Sequence, residues 1–123
     1  MSTRSLVEEY FDAVNGHDWE ALSRIFHPDV TVRHGESITA SGRERAIKLL
    51  RAVVAQFEAH HDRPARVLID GQVATVEVAF TGTLPNGTEV AFGAVDLIDT
   101  DGETITRVAS WYDTAVVLPL LRG

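Results

Sequence analysis

The sequence predicts a single α+β domain in which helices come first and antiparallel strands follow. Apolar residues recur at helical spacing between residues 6 and 57. After residue 65, apolar runs are separated by Asp-Gly or Asn-Gly pairs at residues 70–71, 86–87 and 101–102, which are typical of tight hairpin turns. A chain of 123 residues has the length of one domain, so residues 1–123 are expected to share one core.

The first two helices are predicted to form a hairpin. Ser5 and Glu8 fit a capping box at the start of the first helix, and Asn15-Gly16 supplies its end. Asp18 can cap a second, shorter helix that His27-Pro28 ends. The apolar positions at helical spacing are Leu6, Val7, Tyr10, Phe11 and Val14 in the first helix, and Trp19, Leu22, Ile25 and Phe26 in the second.

A short strand and a long helix are predicted next. Residues 30–34 alternate as a strand, and the polar stretch 35–42 is expected to be a loop at a pocket mouth. Ser41 and Glu44 then fit a capping box for the longest helix, expected over residues 43–60 and closed by Pro64.

The second half is predicted to be a meander of long strands over residues 65–69, 73–84 and 88–113. These strands are apolar on both faces, which predicts helices against one face and a second subunit against the other. A homodimer formed through the outer face of the sheet is therefore expected.

Composition restricts the partners. Eighteen Asp and Glu against eleven Lys and Arg give a net charge of -7 without a basic run, which argues against nucleic acid and anionic membrane surfaces. There is no cysteine, which excludes disulfides and thiolate chemistry. No stretch is apolar enough for a signal peptide or a membrane span, so a cytoplasmic protein that binds a small apolar ligand is expected.

Asp96 is the residue that most needs an explanation, because it is the one charged residue in the otherwise apolar or small run 90–98. A buried carboxylate must be paired or kept neutral. A two-residue turn at Asn86-Gly87 would place Glu77 directly across from Asp96, and the two acids would raise the pKa of one of them. A bulge would instead turn Glu77 to solvent.

The next hairpin leaves two further alternatives. A two-residue loop at Asp101-Gly102 pairs Asp96 with Arg107 as an ordinary ion pair. A three-residue loop moves the register by one and places Asp96 on the face of Ser110 and its alternate neighbours, Val108 and Tyr112.

Several other side chains are candidates for chemistry or binding. His34, at the end of the first strand, could be a general base or an ordinary surface residue. The cluster His60-His61-Asp62 has adjacent spacing, unsuited to a metal site, and lies at the predicted end of a helix, where cationic histidines suit the dipole, so no metal is expected. There is no P-loop or dinucleotide fingerprint, so no organic cofactor is expected. The aromatic residues that could line a pocket, and that otherwise belong to the core, are Tyr10, Trp19, Phe57, Phe92 and Tyr112.

The chain resembles the nuclear transport factor 2-like superfamily over nearly its whole length. The resemblance rests on the element order, on EYFDAVNGHDWEALSRIFHPDVTV near the start and on GAVDLIDTDGETI near the end. SnoaL-like polyketide cyclases, ketosteroid isomerases and limonene epoxide hydrolases are the enzyme families of this fold that it resembles. The resemblance implies a cone-shaped α+β barrel, with a curved antiparallel sheet wrapped around N-terminal helices, a deep apolar pocket and a homodimer.

The ketosteroid isomerase pattern implies roles for three residues. Its oxyanion-hole tyrosine and aspartic acid fall on Tyr10 and Asp96, and its general base falls on His34. The catalytic acid of the polyketide cyclases falls on Ser110. The Arg-x-Asp pair of the epoxide hydrolases falls on Glu77 and on an alanine two residues later, which argues against epoxide hydrolysis.

The expected function is therefore that of an acid-base enzyme on a small apolar carbonyl compound, of the isomerase, cyclase or dehydratase kind, in polyketide or other secondary metabolism. In this hypothesis His34 moves a proton, while Tyr10 and a protonated Asp96 stabilise the enolate. The pocket side chains expected to contact the substrate are Glu77, Ser110, Tyr112, Trp19, Phe57 and Phe92. The alternative is a non-catalytic ligand-binding or dimerisation module of the same fold.

Overall fold

The computed structural model describes residues 1–123 as four helices and six strands in one mixed α+β unit. In chain order they are α1 (Thr3–Gly16), α2 (Trp19–Ile25), β1 (Phe26–His34), β2 (Ser37–Ser41), α3 (Arg43–Val54), β3 (Ala59–Asp70), β4 (Val73–Thr83), β5 (Glu89–Thr100), β6 (Ile105–Trp111) and α4 (Thr114–Leu121). The strands form one curved, unclosed sheet in the order β2-β1-β6-β5-β4-β3, antiparallel throughout except between β1 and β6. The predicted fold class is thereby confirmed.

The main core lies between the N-terminal helices and the face of the sheet that they cover. Alternate residues of β4 and β5 point into it, as the two-residue period of a strand requires. The largest side chains sealed in the core are Phe26, Leu6, Leu22, Ile98, Ile105, Val7, Val30, Val76 and Val108. No helix is long and apolar enough to span a membrane.

The first two helix caps were predicted with unequal success. α1 begins one turn earlier than expected, because Ser2 and Ser5 form the capping box and Glu8 takes no part in it. The end of α1 at Gly16 is confirmed. Asp18 caps α2 as predicted, accepting a hydrogen bond of 3.1 Å from the Ala21 amide.

The region after α3 was assigned wrongly. α3 begins at Arg43 but ends at Val54, and β3 begins at Ala59 and continues through Pro64. Pro64 is tolerated because β3 is an edge strand with a register shift at that position, where a missing backbone N–H costs little. The predicted loop over residues 35–42 likewise contains β2.

The hairpin between β4 and β5 is one residue out of the predicted register. Its loop closes between Leu84 and Thr88 by a 2.8 Å backbone hydrogen bond, with Gly87 at a φ of 88°. Glu77 is consequently opposite Val95, and the predicted pairing of Glu77 with Asp96 is wrong. A shift of one residue moves a side chain to the other face, so Glu77 points outward.

The hairpin between β5 and β6 resolves the two alternatives for Asp96. A four-residue turn from Asp101 to Thr104 is closed by a backbone hydrogen bond between these two residues. The register of β5 with β6 shifts between Asp99 and Thr100. Asp96 is therefore opposite Ser110, and the ion pair with Arg107 does not form. Arg107 is opposite Asp99 instead, at 3.9 Å between charged atoms.

Candidate active site

Three of the predicted site residues form one row across the inner face of the sheet. Asp96 on β5 is the register partner of Ser110 on β6, and Ser110 is the partner of His34 on β1. Register partners share a face, and His34 also follows the buried Val32 at strand spacing, so all three side chains point inward. His34 is half-buried at one end of this row.

Asp96 is buried at the centre of the row, with 8% of its surface exposed. Burial raises the pKa of its carboxyl from 3.8 to about 6; the hydrogen bond from Ser110 lowers this pKa and the charge of Asp62 raises it. The Ser110 hydroxyl donates to Asp96 Oδ1 at 2.7 Å, which orients the carboxyl. The pKa of Asp96 therefore lies closer to neutral pH than that of an ordinary aspartate.

Tyr10 reaches the same region from α1. It is 4% exposed, and its pKa lies well above the usual value because of burial first, then the charge of Asp96, then that of Asp62. Its hydroxyl therefore stays protonated at neutral pH and is able to donate a hydrogen bond.

Two polar atoms at the site are free to contact a ligand. Neither the Tyr10 hydroxyl nor Asp96 Oδ2 makes a hydrogen bond within the chain. Arg33 Nε is the one fully sealed side-chain nitrogen or oxygen without a partner, so neither of the two site atoms is fully sealed. A free donor and a free carboxylate oxygen are the groups that acid-base chemistry on a carbonyl compound and its α-proton requires.

A line of rings extends from His34 along the inner face. His34 stacks on Tyr112 with ring centroids 4.5 Å apart, and Tyr112 lies 6.0 Å from Phe92. Phe80 continues the line, 4.7 Å from Phe92 and 4.9 Å from Phe57. These rings pack against one another, and they include three of the aromatic residues expected to bind the substrate, namely Phe57, Phe92 and Tyr112.

Two of the expected binding residues lie elsewhere. Glu77 is on the outer face, largely exposed and paired with Arg66 at 3.2 Å, so its prediction as a pocket residue is wrong. Trp19 is outside the line of rings; it stacks on His17 at 5.7 Å, and Arg51 lies 5.7 Å from its ring.

A chain of hydrogen-bonded polar groups that was not predicted from the sequence lies beside Tyr10. His17 Nε2 is 2.8 Å from His60 Nε2, and His60 Nδ1 is 2.9 Å from Asp62 Oδ1. His60 and Asp62 share the inner face because they are two apart on β3, whereas His61 points outward. The spacing of His60 and Asp62 could have revealed this, had the segment been assigned as a strand. No three His, Asp or Glu side chains are arranged to hold a metal ion.

Two surface clefts lie away from the row. One of about 630 Å³ is bounded by β2 and α3, and one of about 470 Å³ lies at the ends of β3, β4 and β5. Neither is lined by Tyr10, Asp96 or His34.

Comparisons with known proteins agree with this architecture. The SnoaL-like domain family matches residues 7–108. A protein of ketosteroid isomerase-like fold from Catenulispora acidiphila, solved with trimethylamine, superposes with a TM-score of 0.83 at 25% identity, covering 95% of this chain and 92% of that one. No curated protein is similar in sequence.

Two other solved structures share the fold at lower identity. A candidate polyketide cyclase from Xanthomonas campestris pv. campestris has a TM-score of 0.86 at 21% identity, over 97% of this chain and 96% of that one. An LEH-like epoxide hydrolase from M. tuberculosis has a TM-score of 0.82 at 19% identity, over 98% and 89% of the two chains. Likenesses of this size establish the fold.

Proposed function

Since this chain belongs to the SnoaL-like domain family, we propose that it is an acid-base enzyme acting on a small apolar carbonyl compound, without a metal or organic cofactor. The observation that carries the proposal is the pair formed by Tyr10 and Asp96. Both are buried, each keeps one polar atom free, and the charge of Asp96 raises the pKa of Tyr10. Isomerisation, cyclisation and dehydration all begin with removal of a proton next to a carbonyl group.

In the proposed first step, Asp96 is the base and Tyr10 the hydrogen-bond donor. The Asp96 carboxylate removes a proton from the α-carbon, the electrons of that C–H bond form a new carbon–carbon double bond, and the π electrons of the carbonyl group move onto its oxygen. The Tyr10 hydroxyl donates a hydrogen bond to the resulting enolate. In an isomerisation Asp96 then returns the proton to the γ-carbon, so that the double bond moves and the enzyme is regenerated.

This assignment changes the division of roles expected from the sequence. There, His34 was the base and Asp96 a protonated donor. A pKa of about 6 leaves Asp96 mostly ionised at pH 7.5, which suits a base better than a donor. His34, two strands away in the row and stacked on Tyr112, is assigned to contact and orient the far end of the substrate.

The proposal is tested with 3-cyclohexenone, a small β,γ-unsaturated ketone whose conversion to the conjugated 2-cyclohexenone is followed by absorbance. We expect the wild type to catalyse this conversion and Asp96→Asn to lower the rate by about a hundredfold or more, the usual contribution of a general base. Asp99→Asn is the matched control, because Asp99 is on the same strand and faces outward. Equal rates for wild type and Asp96→Asn would reject the assignment.

A second candidate is non-catalytic binding of a small organic amine. It is favoured by the carboxylates of Asp62 and Asp96 near aromatic rings, a combination that suits a cation, and by the trimethylamine in the similar structure. Calorimetry with trimethylamine would then give a binding signal that Asp96→Asn abolishes, together with no conversion of 3-cyclohexenone.

A further inference from the structure

A hydrogen-bonded chain connects the protein surface with the interior beside Tyr10. His17 is exposed, whereas the side chain of His60 is only 2% exposed and that of Asp62 is 26% exposed. The two contacts, at 2.8 and 2.9 Å, use both ring nitrogens of His60. His60 also packs flat against Phe80, with centroids 6.3 Å apart, which fixes its ring between its two partners.

The backbone holds both ends of this chain in place. His17 is the one non-glycine residue with positive φ, at 54°, a left-handed conformation that an L-residue adopts at a cost. The Asn15 side chain makes two hydrogen bonds of 2.8 Å to the backbone of Asp62: its amide nitrogen donates to the carbonyl oxygen, and its amide oxygen accepts from the N–H group. α1 and β3 are thereby joined at the point where the imidazole of His17 meets that of His60.

The inner end of the chain faces the candidate active site. Asp62 is on the inner face, opposite Phe80, and its charge is among the causes that raise the pKa of Tyr10 and of Asp96. Of the two carboxylates, Asp96 has the larger effect on Tyr10. The Tyr10 hydroxyl therefore lies within the field of both acids.

We propose that His17, His60 and Asp62 form a proton-transfer chain between solvent and the Tyr10–Asp96 pair. A solvent proton binds His17 Nδ1 while the proton on His17 Nε2 moves to His60 Nε2. The proton on His60 Nδ1 then moves to Asp62, and no oxidant, reductant or other reactant is needed. No hydrogen bond within the protein joins Asp62 to Asp96, so in the last transfer a solvent molecule accepts the proton of Asp62 and donates one to the Asp96 carboxylate.

This inference rests on the proposed function but concerns a different property, namely the source of the proton that the product receives. Isomerisation needs no proton from solvent, because Asp96 removes one proton and returns it. Run outward, the same steps carry that proton from Asp96 to solvent, and run inward they bring a solvent deuteron to Asp96 before the γ-carbon is protonated. In D₂O, the rate of isomerisation and the deuterium content of the product therefore report on different parts of the molecule.

The test converts 3-cyclohexenone in D₂O and measures both the initial rate and the deuterium in 2-cyclohexenone by mass spectrometry. The variant is His60→Asn, whose amide can still donate to Asp62 but cannot relay a proton. We expect its rate to stay within about twofold of wild type while deuterium incorporation falls several-fold. His61→Asn, the same change at the exposed neighbour, is expected to match the wild type in both.

His17→Gly provides a second variant in case His60→Asn folds poorly, because glycine suits the left-handed backbone at that position. Its rate of isomerisation should also stay close to that of the wild type while its deuterium incorporation falls. Unchanged deuterium content in a folded variant that retains wild-type isomerisation would overturn the proton chain alone. No isomerisation by the wild type would overturn the proposed function and the chain with it.

Discussion

The raised pKa of Asp96 lowers the stability of the folded protein and also suits this residue to the role of base. Its pKa is raised from 3.8 to about 6, so between these pH values the folded state binds more protons than the unfolded state. The free energy of unfolding therefore decreases as the pH rises through this window and stays lower above it. At about 1.4 kcal/mol per pKa unit, the full effect is on the order of 3 kcal/mol.

The substitution Asp96→Asn should consequently stabilise the protein above pH 6 while it removes activity. Asparagine has the same shape and can accept the Ser110 hydrogen bond, but it does not ionise. Urea unfolding is expected to show a gain of about 1 to 3 kcal/mol at pH 8 that shrinks towards zero near pH 4. A variant that is less stable than the wild type at pH 8 would show that the carboxylate is favourably paired.

The burial of Asp96 was predicted correctly from the sequence, whereas Glu77 was predicted on the wrong face of the sheet. Burial followed from its apolar neighbours along the strand, which is a local property. The partner depended on the loop at Gly87, where one additional residue decides which face each side chain takes. Sequence alone does not set that loop length, since Asn-Gly occurs in loops of two and of three residues.

The position of the site depends on the junction between helix α1 and strand β3. Asn15 is expected to stabilise it, because its amide satisfies both the N–H and the C=O of Asp62. Asn15→Ala should lower the free energy of unfolding by about 1 to 3 kcal/mol, the cost of leaving such groups unpaired.

Denaturant unfolding checks this, with Asn86→Ala as the matched control. Asn86 caps an exposed turn through one hydrogen bond of 3.0 Å, so its loss should cost clearly less. Equal losses for the two variants would mean that the Asn15 contact contributes nothing beyond an ordinary turn.

The start of β3 shows why the His60 site was not predicted. The helical spacing of Ile47, Leu50, Val54 and Phe57 continues past the end of α3, and the pattern alone has no stop signal before Pro64. Pairing of β3 with β4 from Ala59 onward overrides that local pattern. The tertiary context that made His60 and Asp62 neighbours in space was thus absent from the local sequence.

At the scale of the whole molecule, the outer face of the sheet leaves apolar side chains in solvent. Leu68, Val73, Val95 and Trp111 are between 36% and 51% exposed, and Val95 and Trp111 are register partners. The order of helices and strands was enough to predict the fold class, whereas the parallel pairing of β1 with β6 joins segments too distant in sequence to be foreseen.

The homodimer stays a prediction that this face motivates. Light scattering is expected to give twice the monomer mass at micromolar concentration, and Trp111→Lys should shift it to the monomer by burying an unpaired charge in the interface. Ile38→Lys is the control, since Ile38 is also exposed but lies in the cleft beside α3. A wild-type monomer would reject the interface.

The pH dependence of turnover tests the central claim, that Asp96 is the base and Tyr10 the donor, most directly. With 3-cyclohexenone as substrate, the turnover number should rise with pH through about 6 and then reach a plateau, because Asp96 must be ionised to accept a proton. Asp96→Asn should remove both the activity and this titration, and His34→Gln should keep the titration. A turnover number that falls as the pH rises through 6 would mean that Asp96 acts in its protonated form and would contradict the claim. Loss of activity in His34→Gln, with activity retained in Asp96→Asn, would also contradict it and would assign the base to His34.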